Sequence, residues 1–177
     1  RESIKILLLA SLISSLGGLA LENIKNLFIS IMPLVIIMPV LNDMIGDYGT
    51  VISSKFATML HEGKVNGSLL KNQQLRKLSL QILTIAVITT SLSTIISLII
   101  SKFANFNITP LITLKIFTIA ILDTLILVTL LLVIAVISGI YFFKKKEDPN
   151  NFLIPITTSI ADFGNMFILA LLVILFF

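Results

Sequence analysis

The chain lacks cysteine and tryptophan, and it is poor in charged residues. Its 177 residues include no Cys, no Trp, one His and only 12% Asp, Glu, Lys and Arg. The absence of cysteine excludes a disulfide framework and a thiolate metal site. Because soluble domains carry about 25% charged residues, this shortage of charge argues against a soluble globular protein.

Long apolar runs occupy most of the chain instead. Hydrophobic residues make up 56% of it, and several runs reach the ~18 residues that indicate a transmembrane helix. At about 1.5 Å per residue, such a run crosses the hydrocarbon core of a bilayer. The pattern predicts an all-α integral membrane protein, multi-pass in the cell membrane, with residues 1–177 forming a single transmembrane domain.

Five spans are predicted, at about residues 4–21, 27–61, 78–100, 111–143 and 152–177. If the N-terminus lies in the cytoplasm, only three of the 13 lysines and arginines fall in outside segments: Lys25, Lys102 and Lys115. Because cytoplasmic loops carry an excess of Lys and Arg, this distribution predicts five crossings with N-in, C-out topology. The net charge of +4 reflects this bias, so no nucleic-acid partner is expected.

The second predicted span is too long for one straight crossing. Residues 27–61 would form a helix of ~52 Å, well beyond the ~30 Å core. Two crossings would place the basic segment 55–77 outside, against the charge bias. The run MPVLNDMIGDYGT contains Pro39, Gly46 and Gly49, and a proline removes a helix hydrogen bond. We therefore predict one crossing, broken or kinked within this run, as in many transport sites.

Four acidic residues fall at or near membrane depth: Asp43, Asp47, Asp123 and Asp162. A carboxylate at the centre of a membrane helix costs ~2.5–3.5 kcal/mol on insertion scales, so such an acid marks a functional site. No lysine or arginine lies as deep, apart from Lys55 and Lys115 near span ends. Each acid therefore needs a proton, a water-filled cavity or a bound metal ion.

Asp162 has the most polar surroundings of the four. Thr158 and Ser159 precede it by four and three residues, and Asn165 follows it by three, so all share one helix face. Their oxygen atoms suit a hard cation such as Mg²⁺ or Ca²⁺. The alternative is a protonated Asp162 that bonds to a neighbouring helix.

The other polar residues are weaker candidates. Asp47 either caps a helix that starts near Thr50 or lines a pore. Asp123 is a possible metal ligand, but a hydrogen-bonded packing role is at least as well supported. His61 is expected to be solvated at a helix end. Two rows of small polar residues are expected to pack helices closely: Ser11, Ser14 and Gly18, and Thr90, Thr94, Ser97 and Ser101.

The run MPVLNDMIGDYGTVISSKFATMLHEGKV resembles the second-span signature of the MgtE and solute carrier family 41 magnesium transporters. The spacing is kept by Pro39, Gly46, Ser54, Thr58 and Gly63. The resemblance is not complete at two positions. Lys55 stands where the family often has arginine, and Asp47 replaces the usual asparagine after the glycine.

The run EDPNNFLIPITTSIADFGNMF resembles the last-span signature of the same family, and seven residues match: Asp148, Pro149, Asn151, Pro155, Thr158, Ser159 and Asp162. The resemblance implies that Asp162 is the pore metal ligand and that the transported ion is Mg²⁺, with other divalent cations possible. Members of the solute-carrier type carry two five-span repeats. A single repeat therefore implies a homodimer with the pore on its twofold axis.

Three functions compete at this point. The first is a divalent cation channel or transporter in the lipid bilayer, with Asp47 as a second contact for the ion. The second is an intramembrane aspartyl protease with a carboxylate dyad. Its expected motifs are missing, since Met44 stands where a glycine should precede Gly46, so we expect no enzymatic activity. The third is a non-transporting membrane assembly subunit, which leaves the uncompensated acids unexplained.

Overall fold

A computed structural model describes residues 2–65 and 72–177. The helices within these residues are α1 (Glu2–Glu22), α2 (Lys25–Ser30), α3 (Met32–His61), α4 (Gln73–Phe103), α5 (Pro110–Lys144) and α6 (Asn150–Phe176). Helices α3 to α6 are each long and apolar enough to cross a membrane, and α1 contains the shorter apolar stretch Ile6–Glu22. The all-α membrane class is thus confirmed. A fifth crossing by α1 and the N-in, C-out topology stay predictions.

The second span has no break at the predicted place, whereas a kink there stays a prediction. Helix α3 continues without interruption through Pro39, Gly46 and Gly49, and the helical run is interrupted at Ile31 instead, between α2 and α3. Pro33 lies in the first turn of α3, where backbone N–H groups have no acceptor within the helix, so a proline removes no helical hydrogen bond there. Pro39 removes one internal bond. The helix persists because a buried apolar stripe packs on both sides of that proline: Leu34, Ile37, Leu41 and Ile45.

Polar residues set the starts of the later helices. The side chain of Asn72 accepts hydrogen bonds from the backbone N–H groups of Gln74 and Leu75, both at 3.0 Å, and begins α4. Thr109 caps α5 in the same way, and Pro110 follows at the first helical position. These caps fix where α4 and α5 begin.

Contacts between side chains give the register of the bundle. Helix α3 runs antiparallel to α4, since the Ser97 hydroxyl donates to the Pro33 carbonyl at 2.6 Å while Tyr48 bonds to Thr89. Helix α1 runs parallel to α6, because Ser14 contacts Asp162 and Gly17 lies against Met166 farther along both helices. Five crossings would produce this arrangement, with α3 antiparallel to α4 and α1 parallel to α6.

The core lies where α3, α5 and α6 meet. Phe56, Leu131 and Leu153 are fully buried there. Gly139 admits Phe56, since a Cβ at that glycine would lie 2.7 Å from Phe56 Cε1. The row of Thr90, Thr94, Ser97 and Ser101 is fully buried, which confirms its predicted role in helix packing.

Candidate ion-binding site

Four side chains from α1, α3 and α6 form a hydrogen-bonded group around Asp162. Asp162 Oδ1 accepts from Asn42 Nδ2 at 3.0 Å, and Asp162 Oδ2 accepts from the Ser14 hydroxyl at 3.1 Å. Asn42 Oδ1 accepts in turn from Asn165 Nδ2 at 3.1 Å. We call Ser14, Asn42, Asp162 and Asn165 the polar cluster. Both donors to the carboxylate are neutral groups.

Helix geometry brings these residues together. Asp162 and Asn165 are three residues apart and therefore share a face of α6. Gly17 shares the face of α1 that carries Ser14, and it allows close contact with α6. A Cβ at Gly17 would lie 2.8 Å from Met166 Sδ and 3.2 Å from Phe163 Cα. This close approach brings the Ser14 hydroxyl within reach of the carboxylate.

Asp162, the acidic residue of the polar cluster, has no basic partner among the described residues. The ion pairs found there all lie near helix ends: Lys25–Glu22, His61–Asp148 and Lys64–Glu62. Asp162 is half-buried, and Asn165 is fully buried with its Oδ1 atom unpartnered. A carboxylate and a free amide oxygen are both ligands that hard cations prefer. A cation would therefore satisfy both groups.

Only one of the three predicted helix-face neighbours of Asp162 enters the polar cluster, and that is Asn165. The Thr158 and Ser159 hydroxyls donate to backbone carbonyls of their own helix, at Ile154 (2.9 Å) and Ile156 (3.1 Å). Such back-bonding is the usual way in which a mid-helix Ser or Thr satisfies its proton. Their oxygen atoms keep lone pairs, so a role for Thr158 and Ser159 toward the ion stays a prediction.

Sequence reasoning missed Asn42 and gave Ser14 only a packing role. The signal for Asn42 was a lone amide in the apolar run MPVLND. Ser11 and Gly18 of the predicted small-residue stripe are exposed in the single chain, so a packing role for them stays a prediction. The residue that makes the close approach is Gly17, one position earlier.

Asp43 and Asp47 lie on the outward face of α3. Both are exposed, as are Ser54 and Thr58, which continue the same face at helical spacing. We call Asp43, Asp47, Ser54 and Thr58 the exposed α3 line. Of the two alternatives for Asp47, the helix cap is wrong because Asp47 lies in the middle of α3, and the pore role stays a prediction. Within a membrane-spanning helix, exposure of a carboxylate to lipid costs free energy, so water or protein would have to cover these two acids.

Asp123 and His61 lie apart from the polar cluster. Asp123 is fully buried in α5, and neither of its carboxylate oxygens has a hydrogen-bond partner in the described part of the chain. The predicted hydrogen-bonded packing role is therefore wrong. His61 ends α3 as an exposed side chain, as predicted, with Nε2 3.7 Å from Asp148 Oδ1.

The described residues hold no group of three or more His, Cys, Asp or Glu side chains that could bind a metal ion. The polar cluster alone is thus not an all-protein cage. It offers one carboxylate and amide oxygens, which suits an ion that keeps part of its water shell.

The sequence was compared with models of known protein families, with curated proteins and with solved structures. The model of the MgtE family, described as divalent cation transporters, matches residues 38–172. That range covers most of α3 and α6, all of α4 and α5, and three of the four residues of the polar cluster. Neither curated proteins nor solved structures give a significant match. The match extends over most of the chain, so this multi-pass membrane protein belongs to the MgtE family of divalent cation transporters.

Proposed function

We propose that the chain carries Mg²⁺ along the twofold axis of a homodimer, with Asp162 as the ion-binding carboxylate. The observation that carries the proposal is the uncompensated charge of Asp162. Both of its oxygens accept only from the neutral donors Asn42 and Ser14, and no ion pair of the described residues involves it. A bound cation at this position would offset the insertion cost of the intramembrane carboxylate.

The ligand chemistry favours Mg²⁺ held through water. Mg²⁺ dehydrates reluctantly, keeps several waters and uses one or two carboxylates. One Asp162 from each protomer supplies two negative charges, which balance one divalent ion on the axis. Asn42 and Asn165 add amide oxygens that accept hydrogen bonds from the waters of the ion. Thr158 and Ser159 lie one turn away on the same helix as further acceptors.

The exposed α3 line supports a second copy at this face. Asp43 and Asp47 are exposed on an outward helix face of a chain that lies in lipid. Facing lipid, each would cost ~2.5–3.5 kcal/mol on insertion scales. Facing the same line of a second copy across a hydrated path, both acids stay in water and attract cations. Asn42 of the polar cluster adjoins Asp43 in the sequence, so the exposed α3 line and the polar cluster lie at the same level of α3.

The protease alternative is not favoured by the geometry. An aspartyl protease needs two carboxylates close enough to share one proton. The hydrogen-bond partners of Asp162 are an amide and a hydroxyl. None of the other acids joins the polar cluster in the described part of the chain.

Flux of Mg²⁺ into proteoliposomes tests the ion site. The native chain is compared with Asp162→Asn, which keeps the size and removes the charge, and with Glu62→Gln, an exposed acid at a helix end. We expect uptake by native protein and by Glu62→Gln, and none by Asp162→Asn. Equal uptake by all three would reject Asp162 as the ion ligand. Parallel uptake of Mn²⁺ and Co²⁺ measures selectivity.

Cysteine cross-linking tests the twofold axis, since the chain has no native cysteine. Ser54→Cys places a thiol on the exposed α3 line, and Ser15→Cys places one on an exposed position of α1. We expect oxidation to link two copies through position 54 and not through position 15. Cross-linking only at position 15 would place the dimer contact on α1.

A further inference from the structure

Asp123 is the only acidic side chain of the described residues that is fully enclosed by protein. It lies ~20 Å along α5 from Pro110, well inside the membrane-spanning part of that helix. Neither its Oδ1 nor its Oδ2 atom has a hydrogen-bond partner within residues 2–65 and 72–177. Asp162, by contrast, is half-buried and accepts two hydrogen bonds. The two acids therefore occupy different environments.

The hydroxyl groups around this part of α5 are already engaged. The next residue, Thr124, shares a 3.0 Å hydrogen bond with Thr90 of α4. The hydroxyl of Thr94 donates to the Thr90 carbonyl at 2.7 Å, and that of Ser97 donates to the Pro33 carbonyl. One hydroxyl proton of the Thr90–Thr124 pair is left over, but among the described residues it does not bond to either carboxylate oxygen of Asp123.

The helices that pack against α5, which are α3, α4 and α6, supply no ion-pair partner for Asp123 in the described part of the chain. The titratable side chains at membrane depth on these helices and on α5 itself are Asp43, Asp47, Tyr48, Asp162 and Lys115. Toward the helix ends lie Lys55, His61, Arg76, Lys77, Lys102 and Lys144, all of them exposed. Tyr48 bonds to Thr89, and the Lys115 ammonium lies 4.6 Å from the ring centre of Phe177. None of these groups forms an ion pair with Asp123.

We propose that Asp123 is a proton-binding site, separate from the Mg²⁺ path, which holds a neutral carboxylic acid in this arrangement of the helices. An ionised carboxylate without a partner costs several kcal/mol in a protein interior. A metal ion such as Ca²⁺ needs at least six oxygen ligands, whereas a proton needs only the carboxylate itself. The proton is therefore the cation that fits the surroundings of Asp123.

The proton would couple to transport when the bundle rearranges. If α4 and α5 separate enough to admit water, the carboxylic acid of Asp123 releases one proton to bulk water and becomes a carboxylate. Closure of the helices takes a proton back from the same source. This link to transport rests on the proposed function, whereas the protonation of Asp123 in the present arrangement does not.

Infrared spectroscopy of the full chain in lipid, without divalent ions and at neutral pH, tests the protonation directly. We expect a carbonyl stretching band of a protonated carboxylic acid in native protein and in Asp162→Asn. The band should be absent in Asp123→Asn and shifted in Asp123→Glu, which keeps the acid if the amide variant fails to fold. A native spectrum without this band, or a band that neither substitution at Asp123 changes, would overturn the proposal.

Two further measurements separate the proton from other occupants. If Na⁺ or Mg²⁺ raises the melting temperature of native protein but not of Asp123→Asn, and the band is missing, Asp123 is a metal ligand and the proposal fails. In proteoliposomes, native Mg²⁺ uptake should change several-fold between acidic and alkaline buffer, while uptake by Asp123→Asn should stay constant. An unchanged pH profile in Asp123→Asn would reject the coupling. Loss of uptake in Asp162→Asn tests the Mg²⁺ site alone.

Discussion

Replacing Asn42 with alanine removes the side chain that bonds to both Asp162 and Asn165. It donates to Asp162 Oδ1 at 3.0 Å and accepts from Asn165 Nδ2 at 3.1 Å. The substitution therefore leaves a carboxylate oxygen with one donor fewer and a fully buried amide without an acceptor. Both losses weaken the contact between α3 and α6.

The size of the effect follows from these two bonds. A hydrogen bond to a charged group contributes about 1.5–3 kcal/mol and a neutral one about 0.5–1.5 kcal/mol in soluble proteins. Between membrane helices the measured average is smaller, ~0.6 kcal/mol per bond. Asn42 is half-buried, so water replaces part of what is lost. We expect Asn42→Ala to lower the free energy of unfolding by about 1–3 kcal/mol.

A double-mutant cycle isolates the bond between Asn42 and Asp162. The free energy of unfolding in lipid or mixed micelles is measured for Asn42→Ala, for Asp162→Asn and for both together. We expect the two effects to be non-additive by about 1 kcal/mol, because Asp162→Asn removes the charge that strengthens the bond which Asn42→Ala deletes. Ser53→Ala is the matched control, since Ser53 bonds to Thr157 in the same α3–α6 contact at 2.9 Å. It should combine additively with Asp162→Asn.

Additive effects of Asn42→Ala and Asp162→Asn would refute the polar cluster as a coupled unit. The same conclusion would follow if Ser53→Ala showed equal coupling to Asp162→Asn. In that case the substitutions would report only general packing between α3 and α6.

The remaining predictions concern packing and orientation. Gly139→Ala should destabilise the protein by about 1–3 kcal/mol, since overpacking forces buried Phe56 to move. Gly18→Ala, at a site with open space, should leave the stability unchanged. Equal melting temperatures for the two variants would contradict the packing geometry. Ser14→Ala should weaken Mg²⁺ binding several-fold because Asp162 loses one of its two orienting donors. The protection against thermal unfolding that Mg²⁺ gives measures this loss. Ser15→Ala, whose hydroxyl bonds only within α1, should bind Mg²⁺ normally, and equal losses in both variants would exclude an orienting role for Ser14.

The sequence by itself determined the class of the protein and the central residue of the candidate site. Long apolar runs and the placement of charge are local properties, so the spans at 78–100, 111–143 and 152–177 agree closely with α4, α5 and α6. Asp162 could be identified from the sequence because the insertion cost of an acid depends on its depth along one helix, which is also a local property. The spacing of Asn165 on the same helix was equally readable.

Only the tertiary structure decided which residues from other helices complete the site. Asn42 and Ser14 are far from Asp162 in sequence, and their contacts depend on how α1 and α3 are rotated against α6. Thr158 and Ser159 had the correct spacing, but their hydroxyl protons are used within α6. The helical run is interrupted at Ile31 and not near Gly46, because packing of the α3 stripe outweighs the bond lost at Pro39. Spacing along one helix shows which residues share a face, whereas the packing of the other helices determines what that face meets.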